Sequence, residues 1–316
     1  MAQSLIRLEH NLSETTTNYT NKYITWECTT QCNYACRYCW PACHDGKYRW
    51  PDSDKTDRLI EYIKNFSEGK RVILDIMGGE PTLWPDLQRF CHSVGDYTDI
   101  TFSSNGSRTA RWWSKFTAPI NHLLFSFHPE NADLDHYVAM LKQTHQRYRI
   151  SVLILYHPEF KDTCLRAWDR LTQGDLEISC RMKRINTPDH SKQIFSVDYT
   201  DEDREILLWD YYNCSVNMVH PEMYLYIDGI QKDPQTLIAT DQHSFTGWQC
   251  NLGNNTYRYI TADGTVYGSA CEMRTAMGNV YTLGEIEPAV SLTCKAKFCD
   301  CAVDLVLNKR HDLRIQ

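Results

Sequence analysis

The sequence predicts an α/β fold: an open partial (β/α)6 barrel followed by a small domain built on a β-hairpin. Three observations predict it. Six β-branched or aromatic runs are separated by amphipathic stretches, which implies βαβ units and a parallel sheet. The length of 316 residues gives room for one large or two modest domains. From Phe245 onward the alternation stops, cysteines gather, and Ala262-Asp263-Gly264 lies between two β-rich runs, a hairpin signal.

The strand runs are Tyr23–Glu27, Arg71–Ile76, Ile100–Ser103, Leu123–Phe127, Ile150–Leu155 and Leu176–Met182. Helical spacing links Leu59, Ile63 and Phe66, then Leu87, Phe90, Cys91 and Val94. It recurs at Leu134, Tyr137, Val138 and Leu141, and at Leu165, Trp168 and Leu171. Pro85 stands near the start of its helix, where a missing N–H costs nothing. Gly174 is placed to close another. The barrel core is expected over 18–190 and a linking region over 191–244, where no clean unit is visible. The small domain is expected over 245–316.

In parallel α/β architectures ligands bind at the C-terminal ends of the strands. Here those ends carry polar or thiol groups. The first strand runs into Cys32-Asn-Tyr-Ala-Cys36-Arg-Tyr-Cys39, the second into Gly78-Gly79-Glu80-Pro81 and the third into Ser104-Asn105-Gly106. The fourth ends in Ser126-Phe127-His128, and the sixth carries Arg181, Lys183 and Arg184. His128 is expected to be a satisfied structural histidine.

Charge and hydropathy narrow the function. Lys plus Arg is 33 against 40 for Asp plus Glu, a net charge of −7. That argues against a dominant non-specific phosphate-binding surface, which wants a basic excess, and leaves room for a nucleotide or a local basic groove. No apolar stretch reaches the 18 or more residues of a membrane span. The polar N-terminus has no apolar signal core, so a cytoplasmic location is expected.

The chain has 14 cysteines. Without an export signal they suggest metal rather than disulfides. Cys28, Cys32, Cys36, Cys39 and Cys43 crowd one segment; Cys250, Cys271, Cys294, Cys299 and Cys301 crowd another. Cys91, Cys164, Cys180 and Cys214 lie singly and are expected to be small buried hydrophobes. Three thiolates at CxxxCxxC spacing can hold three irons of a cubane cluster and leave the fourth open. A structural zinc site would want four protein ligands. Cys28 or Cys43 could complete such a set, although Cys28 falls near the strand end.

Cys32-x3-Cys36-x2-Cys39 with Tyr38, Gly78-Gly79-Glu80 and Ser104-Asn105-Gly106, each at a strand exit, resemble the radical S-adenosylmethionine superfamily over roughly the first 190 residues. The resemblance implies a TIM-like partial barrel and a 4Fe-4S cluster on Cys32, Cys36 and Cys39. Its open iron would chelate S-adenosylmethionine, whose reductive cleavage gives a 5′-deoxyadenosyl radical that removes hydrogen from a substrate. It further implies that Gly78, Gly79 and Glu80 meet the methionine amino group. Ser104 or Asn105, together with Ser126, would meet ribose hydroxyls, with Arg181 on the methionine carboxylate and Lys183 and Arg184 behind it. Relatives often carry glycine in the fifth strand. Ser151–Tyr156 has none, so apolar adenine packing is expected.

The C-terminal cysteines, one before the hairpin, one after it and a late cluster, resemble a twitch domain, the short form of SPASM. Such a domain implies one auxiliary iron–sulfur cluster, on Cys250, Cys271 and two of Cys294, Cys299 and Cys301, with a four-thiolate zinc knuckle as the alternative. The expected partners are an external flavodoxin- or ferredoxin-like electron donor and a small-molecule, nucleotide or peptide substrate. The triad begins at residue 32, with no separate peptide-recognition module ahead of it. That tilts the expectation toward a small molecule or modified nucleotide. The rivals are a zinc-binding module and an electron-transfer protein that does not use S-adenosylmethionine; an amine-binding loop speaks against the latter.

Overall fold

The computed structural model describes residues 14–17, 22–173, 176–185, 197–213, 225–227, 230–232, 237, 242–252, 256–271, 275–288, 290–299, 302–305 and 307–311. After a short strand β1 (Glu14–Thr17) comes β2 (Lys22–Glu27), then α1 (Ser53–Ser67), β3 (Val72–Met77), α2 (Leu87–Val94) and β4 (Thr98–Ser104). Next come α3 (Ala110–Lys115), β5 (His122–Phe127), α4 (Leu134–Thr144), β6 (Arg149–Tyr156), α5 (Lys161–Thr172) and β7 (Ser179–Arg184). Strands β2 to β7 lie side by side in sequence order, each parallel to the next, as six βα-type units require.

Local chemistry explains the helices. Asp52 caps α1 by accepting from the Lys55 N–H, and Leu59, Ile63 and Phe66 are buried on one face. The helix from Leu87 buries Leu87, Phe90, Cys91 and Val94, one stripe at helical spacing. The six-residue α3, capped by Thr109, has no counterpart in the sequence reading. It is too short to show a period, and its anchor is one buried side chain, Trp113, edge-on to Phe125 at 5.1 Å. Gly174 and Cys214 lie outside the described residues.

The sheet has two unlike faces. Ile24, Trp26, Leu74, Ile76, Phe102, Phe125, Val152 and Ile154 are all fully buried on the outer face, where the main core sits under the helices. The inner face carries Thr25, Glu27, Asp75, Met77, Thr101, Ser103, Ser126, Leu153 and Arg181, most of them half-buried. Burial alternates residue by residue along β4 and β5. A fully packed barrel fills its interior with Val, Ile and Leu. This interior is mainly hydroxyl, carboxylate and guanidinium.

The expected hairpin is present but belongs to the barrel sheet. Strands β8 (Leu225–Ile227), β9 (Ile230–Lys232) and β10 (Gln249–Cys250) precede it. Then β11 (Tyr257–Ile260) runs parallel to β2, β12 (Thr265–Tyr267) returns antiparallel, and β13 (Ala276–Asn279) pairs with β12. The result is one sheet of nine strands. Tyr257 Oη donates to Thr25 Oγ1 at 3.3 Å and Tyr259 Oη donates to Glu27, so this extension is sealed by side chains as well. A second, antiparallel sheet draws β1, β8 and β9 together with β10, β14 (Leu292–Thr293) and β15 (Lys309–Arg310). Residues from the expected linker, and strand β1 ahead of the barrel, therefore share a sheet with the C-terminal strands.

The Asp-Gly turn joins β11 to β12 in a tight hairpin. Gly264 N–H bonds the Thr261 carbonyl at 2.8 Å, and Gly264 sits at φ +87°. A Cβ there would lie 2.2 Å from the Tyr281 ring, and Tyr281 Oη accepts from Trp26 Nε1 at 3.3 Å. Gly264→Ala should therefore cost about 1–3 kcal/mol from backbone strain and displaced packing. Urea unfolding of the full chain checks this.

Candidate active site at the mouth of the barrel

The three N-terminal cysteines stand on the loop leaving β2. Cys36 is buried; Cys32 and Cys39 are half-buried. Their sulfurs already accept N–H groups: Tyr34 N to Cys32 at 3.4 Å, Asn105 Nδ2 to Cys32 at 3.8 Å and Asn131 Nδ2 to Cys36 at 3.2 Å. Such donors suit thiolates that must carry negative charge toward iron. Burial raises the Cys32 thiol and pushes Cys36 up to about 12. Cys39 is drawn down to about 6, first by its hydrogen bond with Cys43 and then by His44. Among the described residues no three His, Cys, Asp or Glu side chains converge as on a single ion. Three soft donors on one loop, each within reach of amide or backbone support, fit a multi-iron cluster.

The loop is held by the next strand exit. Gly79 N–H bonds the Thr29 carbonyl and Glu80 N–H the Gln31 carbonyl, both at 2.7 Å. This contact is why glycines are needed. A Cβ on Gly78, at φ +135°, would stand 2.5 Å from Thr29 O, and one on Gly79 would stand 2.2 Å from Gln31 O. The neighbour that Gly78 and Gly79 accommodate is thus the cysteine loop itself.

Glu80 is fully buried. Its Oε1 accepts from Thr82 N at 3.0 Å, Thr82 Oγ1 at 2.5 Å and Ser104 Oγ at 2.9 Å, and its Oε2 from Asn105 N at 2.7 Å. Burial raises its pKa against those four hydrogen bonds. The carboxylate is therefore a bracket between two strand exits, and Ser104 is engaged by it. Asn105 turns its side chain to the cysteine loop, reaching Asn33 Oδ1 at 3.1 Å.

His128 ends β5 with Nδ1 3.3 Å from Cys36 Sγ and 3.0 Å from Tyr38 Oη, and burial lowers it to about 4, so the ring is neutral. It touches two residues of the cysteine motif, a position that the sequence did not show. Asn33, Asn131 and Thr82 were also missed; Asn33 alone gave a signal, lying inside the motif. Arg37 crosses to Glu130 at 2.6 Å and Glu159 at 2.8 Å, tying the cysteine loop to the ends of β5 and β6. Ser126, Leu153 and Arg181 form one row across the inner face. Lys183 and Arg184 are exposed.

Cys28 is in the main core, fully buried, and Cys91, Cys164 and Cys180 are buried as well. Cys250 on β10 feels the charge of Cys294, Cys271 and Lys309, while burial pushes it up to about 11. Cys294 N–H bonds the Trp248 carbonyl at 2.7 Å, beside the β10–β14 pair. Cys299 packs against the small core that contains Phe245, Trp248 and Leu305. Cys301 lies outside the described residues. Cys250 shares a small core with Tyr23, Ile73 and Tyr257, which lie on the inner face of β2, β3 and β11.

Residues 26–163 match the Radical SAM superfamily. Over that stretch the chain is similar to radical SAM domains. The fold agrees. The chain resembles anSMEcpe with bound AdoMet at TM-score 0.57 and 12% identity, over 83% of this chain and 78% of that one. It resembles Streptococcus suis SuiB bound to the precursor peptide SuiA at TM-score 0.52 and 14% identity, over 83% and 62% respectively. No curated protein sequence matches this chain. Among the described residues no helix is long and apolar enough to cross a membrane.

Two variants probe the docked loops. Gly79→Ala should push the cysteine loop away and lower the iron taken up on reconstitution. Glu80→Ala leaves four donors facing an empty site, costing about 3 kcal/mol or more of unfolding free energy. Iron analysis and chemical denaturation check the two. A stable Glu80→Ala protein would show that the bracket does not hold the strand exits.

Proposed function

We propose that this chain is a radical SAM enzyme that removes a hydrogen atom from a polar small molecule or modified nucleotide bound in the barrel. The carrying observation is the cysteine loop docked on Gly78-Gly79-Glu80 at the C-terminal ends of a parallel sheet with a polar interior. Cys32, Cys36 and Cys39 would hold a 4Fe-4S cluster with one iron left for S-adenosylmethionine. Such a cluster would supply one-electron reduction of the S-adenosylmethionine sulfonium, the chemistry from which hydrogen-atom removal would follow. The protein's own residues do the placing. Glycine backbone at Gly78 and Gly79 holds the cysteine loop, and Glu80 fixes Asn105 beside Cys32. Tyr38 and His128 support Cys36, with Ser126 and Arg181 offered to ribose and carboxylate groups from the opposite wall. The electron comes from a flavodoxin- or ferredoxin-like donor.

Cys250, Cys271 and Cys294, with Cys299 or Cys301, would hold an auxiliary iron–sulfur cluster in a twitch-like arrangement. The support is the charge interaction of Cys250 with Cys271 and Cys294, and the packing of Cys250 with Tyr23 and Ile73 on the inner face of β2 and β3. A peptide substrate is the second reading, favoured by the likeness to SuiB bound to its precursor peptide.

The test is anaerobic reduction of reconstituted protein with S-adenosylmethionine. 5′-Deoxyadenosine should form in the native chain and vanish when Cys32, Cys36 and Cys39 are all changed to Ala. Iron should be roughly eight per chain, falling to roughly four in a folded Cys250→Ala/Cys271→Ala variant that still cleaves S-adenosylmethionine. No 5′-deoxyadenosine from the native chain would sink the enzyme reading; about four irons with one stoichiometric zinc would sink the auxiliary cluster alone.

A further inference from the structure

We infer that Asp75 is a substrate-binding residue, a carboxylate in the barrel interior that anchors an amino group of the substrate. It stands at the middle of β3, in register with Thr25 on β2 and Thr101 on β4, and faces inward. The Tyr23 hydroxyl is hydrogen-bonded to it. Its Oδ1 is buried and has no hydrogen-bond partner among the described residues. Yet the residue as a whole keeps some accessible surface. A side chain enclosed by protein but still accessible lines an interior space.

A buried carboxylate oxygen without a donor costs free energy and is rare unless something else completes it. Packing gives no reason to keep an acid here, since the corresponding outer-face positions Leu74 and Ile76 are apolar and fully buried. No cation is in register beside it; its neighbours across the strands are Thr25 and Thr101. Burial pushes it up to about 7, so an ammonium group brought to Oδ1 would restore both the charge and the hydrogen bond.

Its place along the strand gives the assignment its function. On the same face of β3, Ile73 packs in the small core with Cys250, and Met77 leads into Gly78-Gly79 under the cysteine loop. Asp75 lies between them. A substrate amine held there would set the rest of the molecule between the two cysteine groups. This rests on the reading of the barrel interior as the substrate chamber.

The experiment uses the reconstituted full chain saturated with S-adenosylmethionine and without reductant. Failure of the S-adenosylmethionine reading shows as absent binding before any probe is added. Thermal midpoints are then read with methylammonium, ethanolamine and D-glucosamine, each against its hydroxyl counterpart: methanol, ethylene glycol and D-glucose. At least one amine should stabilise the native chain more than its counterpart does, and that preference should vanish in Asp75→Asn. Read at about pH 8.5, where the carboxylate is ionised, the substitution by itself should raise the midpoint of the unliganded chain by about 2 °C or more, because it removes an uncompensated charge. No amine preference in the native chain, a preference that survives Asp75→Asn, or a fall in the unliganded midpoint would each overturn the assignment, the last by showing that Asp75 serves only to hold Tyr23.

Discussion

The site depends on one backbone contact. Gly78 and Gly79 leave β3 at a distance from Thr29 and Gln31 that no other residue could tolerate, since an added Cβ would meet a carbonyl at 2.5 or 2.2 Å. Two short amide hydrogen bonds join the strand exits there. Everything chemical at the mouth is hung on that junction. The cysteines begin at Cys32, directly after Gln31 ends the contact. Glu80, the next residue, reaches across to Ser104 and Asn105 and so adds the third strand exit. Asn105 then returns a side-chain donor to Cys32. Three loops that are far apart in sequence become one rigid unit before any cofactor arrives, which is the form of preorganisation a radical site needs.

The second constraint is the division of labour between the sheet's faces. The outer face and helices carry the stability: Trp26, Trp84 and Phe90 pack with centroids 5.0 to 5.6 Å apart, and the main core runs unbroken from β2 to β7. A barrel anchored so heavily on its outside is free to keep a polar inside. Thr25, Thr101, Ser103 and Ser126 give donors and acceptors of low commitment, while Asp75 and Arg181 place opposite charges on opposite walls. Such a chamber suits a polar substrate better than an apolar one.

The six parallel strands were legible as β-branched or aromatic runs, and four of their helices through an unbroken 3.6-residue spacing. The cysteine spacing and the Gly-Gly-Glu motif were likewise legible, because metal ligation and close backbone approach each demand particular residue types. Partners were not. Whether Glu80 faces outward or inward depends on Thr82 and on Ser104 and Asn105, the latter two some 24 and 25 residues away. No local pattern carries that. The hairpin was visible in Asp263-Gly264, but its docking on β2 was not, because Tyr257 and Tyr259 read as strand residues whichever sheet they join. His128 looked structural; only the folded chain puts it on Cys36.

That docking matters for how the two ends of the chain cooperate. By adding β11 parallel to β2, the C-terminal region continues the barrel wall instead of standing beside it as an independent lobe. The antiparallel sheet then packs Cys250 against Tyr23 and Ile73 on the inner face. Had the hairpin formed a separate sheet, nothing would fix the distance between the two cysteine groups. Built into the same wall, they are held by strand register, with the inner face of β3 running from one to the other. The length of that strand therefore sets the size of what can lie between them, and it is only a few residues long.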